Sequence, residues 1–364
     1  MHCPIEQFRL RRFEYPRGRV IGDCQIRVPS TNWLGTVELV DAAGHIGLGF
    51  FASMREPLPS ALELHVYYKR DLWPSINGMT PEALINRVSH PRGGQVRAFA
   101  YDLADATKEA LWDLAAKRAG LPLFRYLGGT DPRVLAYASG LCFHLSDEDT
   151  HVFYREARAA GYRAAKVKVG HPDPFWDLAR LRLVADAMGQ SARLMIDANE
   201  AWSPREAAAR LALFADNGLA IHWVEDPLPR DDFTGLRWLR GASRGALINS
   251  GEYLTPELRV ALLAADAVDI VNLNGTIGDN LRLARACIAA NRPMTIGNSV
   301  MNVNAHLAAA LPDIDMAEDS QLDWTEILAE PLPVIDGAFL LSDRPGHGLS
   351  ISDDADARCG GSRA

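Results

Sequence analysis

Residues 164–169, AAKVKV, form a short apolar run with two alternating lysines, and the runs RLMID (193–197) and IHWVE (221–225) each end in an acid. Similar runs recur along the chain, separated by alanine-rich amphipathic stretches such as 204–217. We predict eight strands, at 134–141, 164–169, 193–197, 221–225, 246–250, 268–273, 293–296 and 314–317. Eight strands that alternate with helices are typical of an α/β fold of the (β/α)8 TIM-barrel type.

The N-terminal part of the chain has a different pattern. Apolar runs at 37–40 and 46–51 flank Asp41-Ala-Ala-Gly44, which predicts a hairpin. Apolar residues spaced by three and four predict a helix over 96–120. Strands followed by a helix favour an α+β domain.

These patterns divide the chain into three segments. We predict an α+β domain at 1–130, the barrel at 131–330, and a C-terminal segment at 331–364 that returns to the first domain. The polar stretch 353–364 is expected to be a flexible, frayed tail.

Composition argues against several classes of protein. A net charge of −8 argues against a nucleic-acid partner, which would require a basic face. The five cysteines form no CxxC pair, so neither a disulfide framework nor a zinc site is expected. No run approaches the length of a membrane span and the N-terminus lacks the apolar run of a signal peptide. We therefore expect a cytoplasmic protein that does not bind membranes.

Three successive predicted strands end at or beside a carboxylate. Asp197, Glu225 and Glu252 lie 28 and 27 residues apart, which is about the length of one βα unit. Because the active site of a barrel lies at the carboxyl ends of its strands, we expect these side chains to converge. Three carboxylates share a site only when positive charge lies among them. The oxygen donors predict one Mg²⁺ ion.

Lys166 and Lys168 share one face of the strand that precedes these acids. Two ammonium groups held close together, near a metal, depress each other's pKa. This is a route to a neutral lysine that acts as a general base on the carbon next to a substrate carboxylate. Asp226 is expected to shape the turn before Pro227, and Asn199 is either a hydrogen-bonding partner or a helix cap.

These residues resemble the enolase superfamily, and within it the mandelate racemase and muconate lactonizing group. The resemblance extends over nearly the whole chain. It is carried by Lys166-Val-Lys168, the three acids and further motifs at 110–114, 120–123, 127–129 and 305–309, together with Glu318. It implies a (β/α)7–8 barrel with an N-terminal capping domain that the C-terminal segment completes.

By this resemblance Lys168 is the base, Lys166 tunes it, and one Mg²⁺ per subunit is held by the three acids. A small carboxylate substrate and a homo-oligomer are also implied. The capping domain would supply specificity through loops at about 15–24 and 50–57. Arg17 and Arg19 in the first loop are candidates for contact with the substrate, and equally for solvated loop charges.

The sequence departs from the family at the sixth and seventh strands. Asn274 stands where the pattern has an Asp or Lys, and Gly297 or Asn298 stands where it has a His. His306 lies among Ala and Leu on the next helix and is expected to be structural. His144, with Tyr253 as a weaker candidate, is an alternative acid.

A missing second-face group argues against racemisation and favours a one-sided reaction. We predict the dehydration of a sugar acid to a 2-keto-3-deoxy acid, with Asn199, Asn274 and Asn298 as candidate contacts to the substrate. The alternatives are a cycloisomerase of an acid-sugar lactone or muconate-like diacid, then a racemase or epimerase. A further alternative is a catalytically inactive barrel that acts as a binding protein.

Overall fold

The computed structural model describes residues 3–88, 90, 97–322 and 324–363. The N-terminal part contains an antiparallel sheet of four strands. In spatial order they are Ser362–Arg363, Ile5–Pro16, Thr31–Asp41 and Ile46–Ser53. The last two form the predicted hairpin. The long first strand was not predicted, because arginines interrupt its apolar alternation although Ile5, Leu10 and Phe13 are buried.

Helical segments follow the hairpin in the chain. They are Ala61–Tyr67, the π-helical turn Tyr68–Leu72, the 3₁₀ turn Trp73–Ser75, and helices Pro81–Leu84, Ala98–Arg118 and Leu123–Tyr126. Ala98–Arg118 is the predicted helix, although position 96 lies outside the described residues. It packs closely on the edge strand, since a β-carbon at Gly47 or Gly49 would overlap its backbone at Ala110 or Ala106.

Eight parallel strands form a closed barrel, in which each strand pairs with the next and the last pairs with the first. They are Arg133–Ser139, Ala164–Lys168, Arg193–Asp197, Ile221–Glu225, Leu247–Ser250, Ile270–Leu273, Met294–Ile296 and Ile314–Asp319. Below they are called the first to eighth strands. This confirms the predicted α/β barrel with an α+β N-terminal region.

Helices follow the first seven strands. They are Asp147–Ala159, Pro174–Met188, Pro204–Asp216, Phe233–Arg240, Pro256–Ala264, Ile277–Ala289 and the short Ala305–Ala308. Their starts are encoded locally. The side chains of Ser203 and Thr255 accept backbone N–H groups at the N-caps, and Pro204 and Pro256 begin the first turns. A 3₁₀ turn, Trp324–Ile327, is the helical segment after the eighth strand.

The C-terminal segment first forms a hairpin, Val334–Ile335 and Ala338–Leu340, which pairs with the first barrel strand. The expectation of a flexible tail differs from the structure. A short helix, Ala355–Arg358, is followed by a strand, Ser362–Arg363, which joins the N-terminal sheet with Arg363 opposite Arg11. Ala355 and Cys359 are buried there, so the tail is held by its apolar residues.

No helix in the described part of the chain is both long and apolar enough to cross a membrane.

Candidate active site

The three acids predicted to converge do so at the carboxyl ends of the third, fourth and fifth strands. Asp197 and Glu225 end their strands, and Glu252 follows the fifth strand by two residues. One oxygen from each side chain lies within 4.8 Å of the others. Asp197 and Glu225 are almost fully buried, and Glu252 is partly exposed.

Lys166 lies among acidic side chains. Its Nζ is 2.6 Å from Glu225 Oε2, 3.1 Å from Glu318 Oε2 and 3.5 Å from Asp197 Oδ2. The ammonium group also lies over the ring of Tyr137, at 5.6 Å. Burial lowers the pKa of Lys166, but these carboxylates outweigh burial and raise it well above its ordinary value.

Lys168 contacts only one of the predicted metal ligands at hydrogen-bond distance. Its Nζ donates to Asp197 Oδ2 at 2.6 Å and to Asn199 Oδ1 at 2.9 Å. Burial lowers the pKa of Lys168 and Lys166 lowers it further, yet Asp197 leads a set of carboxylates that raise it overall. Lys166 thus depresses the pKa of Lys168 as the sequence predicts, but the carboxylate charges outweigh this effect and set the net direction.

Buried residues that the sequence analysis did not single out hold Glu225 and Glu318. Asn272, fully buried on the sixth strand, donates through Nδ2 to Glu225 Oε1. Tyr137 donates to Glu318 Oε2 at 3.3 Å. The sequence offered one signal for Asn272, a polar residue within an apolar strand. Such a residue is buried only when it has hydrogen-bond partners, and here the side chain is fully buried.

The donor set fits a hard divalent cation. Burial raises the pKa of Glu225 and of Glu252, and neighbouring carboxylates add to the effect. The two lysines form ion pairs with Glu225 and Asp197. Neither lysine contacts Glu252 directly, so this carboxylate lacks a positive partner among the described residues. Three oxygen ligands in one partly open cluster suit Mg²⁺, which keeps positions for water and substrate oxygens.

Asn199 connects Lys168 to the loop after the fifth strand. Its backbone N–H donates to Asp197 Oδ1 at 3.0 Å, and its Nδ2 donates to the hydroxyl of Tyr253 at 3.0 Å. Asp226 lies in the turn after the fourth strand, where its Oδ1 accepts from the Ser250 hydroxyl and from the Gly251 N–H.

The other predicted contacts to substrate occupy two places. Asn274 and Asn298 line a cavity between the capping helix Ala98–Arg118 and the sixth and seventh strands. Arg17 is buried and donates to Asn32 Oδ1 at 2.9 Å, while Arg19 donates to the carbonyls of Ser320 and Gln321 at 3.0 and 2.7 Å.

His144 is bound to the first-domain loop, with Nε2 2.9 Å from the carbonyl oxygen of Ile26. Arg17, Arg19 and His144 thus fasten backbone segments in this structure, and their substrate roles stay predictions. His306 is buried, with Nε2 3.2 Å from the His347 carbonyl oxygen.

Residues 150–355, which include both lysines and all three acids, match the family described as enolase C-terminal domain-like. The chain belongs to the enolase superfamily. It is 33% identical over 269 residues to 3,6-anhydro-α-L-galactonate cycloisomerase from Streptomyces coelicolor, covering 71% of each chain. Other curated relatives of this superfamily member include acid-sugar dehydratases and epimerases.

Solved structures agree with this assignment. A Mesorhizobium loti protein provisionally described as a mandelate racemase superposes with a TM-score of 0.92 at 40% identity, covering 98% of this chain and 94% of that one. L-Talarate dehydratase from Polaromonas sp. JS666, complexed with Mg and L-glucarate, has a TM-score of 0.83 at 27% identity, covering 100% and 99%. Several such neighbours were crystallised with magnesium, which confirms the predicted cofactor.

Proposed function

We propose that the protein removes the proton α to the carboxylate of a sugar acid and eliminates the β-hydroxyl, giving a 2-keto-3-deoxy acid. One observation carries the proposal. The Nζ of Lys168 lies at the barrel mouth, 2.6 Å from Asp197, in a cluster of three oxygen ligands suited to Mg²⁺. Asp197, Glu225 and Glu252 would hold the ion, which supplies positive charge beside the substrate carboxylate.

Lys168 is the proposed base. Once Asp197 is engaged by a cation, Lys168 loses its strongest partner, and the neighbouring Lys166 ammonium lowers its pKa. The neutral amine then takes the α-proton, the β-carbon–oxygen bond breaks, and the hydroxide leaves with a proton as water. The enol that remains gains a proton at the β-carbon and becomes the keto acid, so the overall change is the loss of one water.

The sixth and seventh strands favour elimination over racemisation. Asn274 directly follows the sixth strand, and Gly297 and Asn298 directly follow the seventh. Gly297 carries no side chain. A carboxamide does not exchange a proton at neutral pH as Lys, Asp or His does. Racemisation needs a proton donor or acceptor on each face of the α-carbon, whereas elimination can proceed from one face.

The test is incubation of the pure, magnesium-loaded protein with a panel of aldonic and aldaric acids, followed by detection of 2-keto acid as the semicarbazone. At least one acid is expected to give keto acid with loss of one water by mass spectrometry. No keto acid from any member of the panel would reject dehydration.

A second candidate is cycloisomerisation of an acid-sugar lactone, favoured by the similarity to the Streptomyces coelicolor cycloisomerase. The same panel, extended with lactones and run in deuterated water, separates the two reactions. Cycloisomerisation gives a product that retains the mass of the substrate apart from deuterium, and no keto acid. Exchange with inversion and no other product would instead favour a racemase or epimerase.

A further inference from the structure

A cavity of about 250 Å³ lies between the two domains, beside the proposed active site. Asn274, Asn298 and Asn304 contribute to its barrel wall, and Asp102, Asp105 and Glu109 of the capping helix contribute to the opposite wall. The backbone N–H of Asn298 donates to Glu318 Oε2 at 3.1 Å, and that oxygen also accepts from Lys166. Asn298 therefore connects the cavity to the ion pair of Glu318 and Lys166.

The acidic wall is only partly neutralised. Asp105 is 3.0 Å from Lys108 Nζ and 2.6 Å from His90 Nε2. Asp102 and Glu109 form no ion pair with any described residue. Glu109 Oε1 accepts from the Phe50 N–H at 3.0 Å, which leaves its second oxygen and both oxygens of Asp102 without a donor among those residues.

The barrel wall supplies an independent observation. Asn304 is only 4% exposed and lines the cavity. Its Nδ2 donates to the Gly275 carbonyl at 2.9 Å, while its Oδ1 accepts no hydrogen bond from the part of the chain that is described. An acceptor on a cavity-lining residue that has no protein donor is available to a donor from water or a ligand. Both walls thus present acceptors that lack donors among the described residues.

We propose that this cavity holds the distal end of the substrate, and that this end carries hydroxyl groups and no second carboxylate. The substrate is then a polyhydroxy monocarboxylate of the aldonate type. This proposal rests on the proposed function, and it narrows the substrate class. Hydroxyls donate to ionised Asp102 and to Asn304, and they can also accept from Glu109, whose pKa burial raises well above its ordinary value. Burial raises the pKa of Asp102 to about 7, so above that pH the second carboxylate of an aldarate would bring a like charge against it.

The experiment compares pairs of acids that differ only at the far carbon, D-gluconate with D-glucarate and D-galactonate with galactarate. Each is titrated calorimetrically into the full-length protein with saturating Mg²⁺, at about pH 8.5, which lies above the pKa of Asp102 of about 7. Within at least one pair, the aldonate is expected to bind about tenfold more tightly or better. Equal or tighter binding of both aldarates, or binding of none of the four acids, would overturn the proposal.

Two variants assign the preference to the acidic wall. Asp102→Asn together with Glu109→Gln is expected to improve aldarate binding and to bring the ratio towards one. Asp343→Asn, an exposed acid away from the cavity, is the matched control and should keep the wild-type ratio. An unchanged ratio in the double variant would contradict the assignment. Asp102→Asn alone, which removes no hydrogen bond between described residues, serves if the double variant is unstable.

The two proposals fail in different ways. If the aldonate binds preferentially but yields no keto acid, dehydration is wrong and the selectivity stands. If an aldarate yields keto acid as efficiently as its aldonate, the selectivity is wrong and dehydration stands.

Discussion

The side-chain oxygen of Asn272 lies 2.7 Å from the point where a β-carbon on Gly297 would stand. Asn272 donates through its nitrogen to Glu225 Oε1, and its oxygen has no hydrogen-bond partner among the described residues. The missing side chain at the end of the seventh strand therefore leaves room for the residue that orients a predicted metal ligand.

Gly297→Ala is expected to weaken Mg²⁺ binding by about tenfold, because outer residues that orient metal ligands commonly contribute this much affinity. The added methyl group would displace the Asn272 carboxamide and release Glu225. The measurement is a calorimetric Mg²⁺ titration. Gly241→Ala is the control, since the nearest atom to a β-carbon there is 3.5 Å away. Equal affinities in both variants and wild type would show that Asn272 does not position Glu225.

Lys168→Ala is expected to slow exchange of the α-hydrogen by about 10³-fold or more, since removal of a general base usually costs 10²–10⁴. Exchange is followed by proton NMR in deuterated water with the acid that the panel identifies. Lys69→Ala, at an exposed position of the N-terminal domain, should exchange at the wild-type rate. Unchanged exchange and unchanged ligand affinity in Lys168→Ala would instead favour an inactive barrel that acts as a binding protein.

His306 makes stability depend on pH. Burial, with a contribution from His347, lowers the pKa of His306 from 6.5 to about 3. As the pH falls below 6.5, the unfolded chain binds a proton that the folded chain does not, so the free energy of unfolding falls until the pH reaches the folded pKa. Between about pH 7.5 and pH 5 this amounts to about 2 kcal/mol.

The measurement is urea unfolding, followed by circular dichroism, of the wild type and His306→Gln at both pH values. The variant is expected to lose about 2 kcal/mol less than the wild type on acidification. Equal losses in the two proteins would mean that His306 titrates normally in the folded state.

The C-terminal strand contributes to stability. A chain that ends at Ser352 loses the pairing of Ser362–Arg363 with Ile5–Pro16 and the buried Ala355 and Cys359. We expect its Tm to fall by about 3 °C or more, which corresponds to about 1 kcal/mol in a large domain. The comparison is a thermal melt beside a chain that ends at Arg363. An unchanged Tm would show that the tail is dispensable, as its composition suggested.

The sequence by itself determined the barrel and the residues most central to the proposal. Each of the first six barrel strands is a short, mostly apolar run followed by a helix with a side-chain N-cap, as at Ser203-Pro204. Asp197 and Glu225 end such runs at unit spacing, and the closed barrel brings strand ends together wherever they occur in the chain. Local periodicity therefore carried this information.

Only the tertiary structure decided which polar groups meet across the barrel and between the domains. Asn272 reaches Glu225 from 47 residues away, and Glu109 receives the N–H of Phe50 from a different element. The tail showed no strong pattern, yet Arg363 pairs with Arg11 because the sheet edge offers free backbone groups. The tertiary structure also decided that the pKa values of Lys166 and Lys168 are raised. An electrostatic pKa shift depends on the distances between charges, and these charges are remote in sequence.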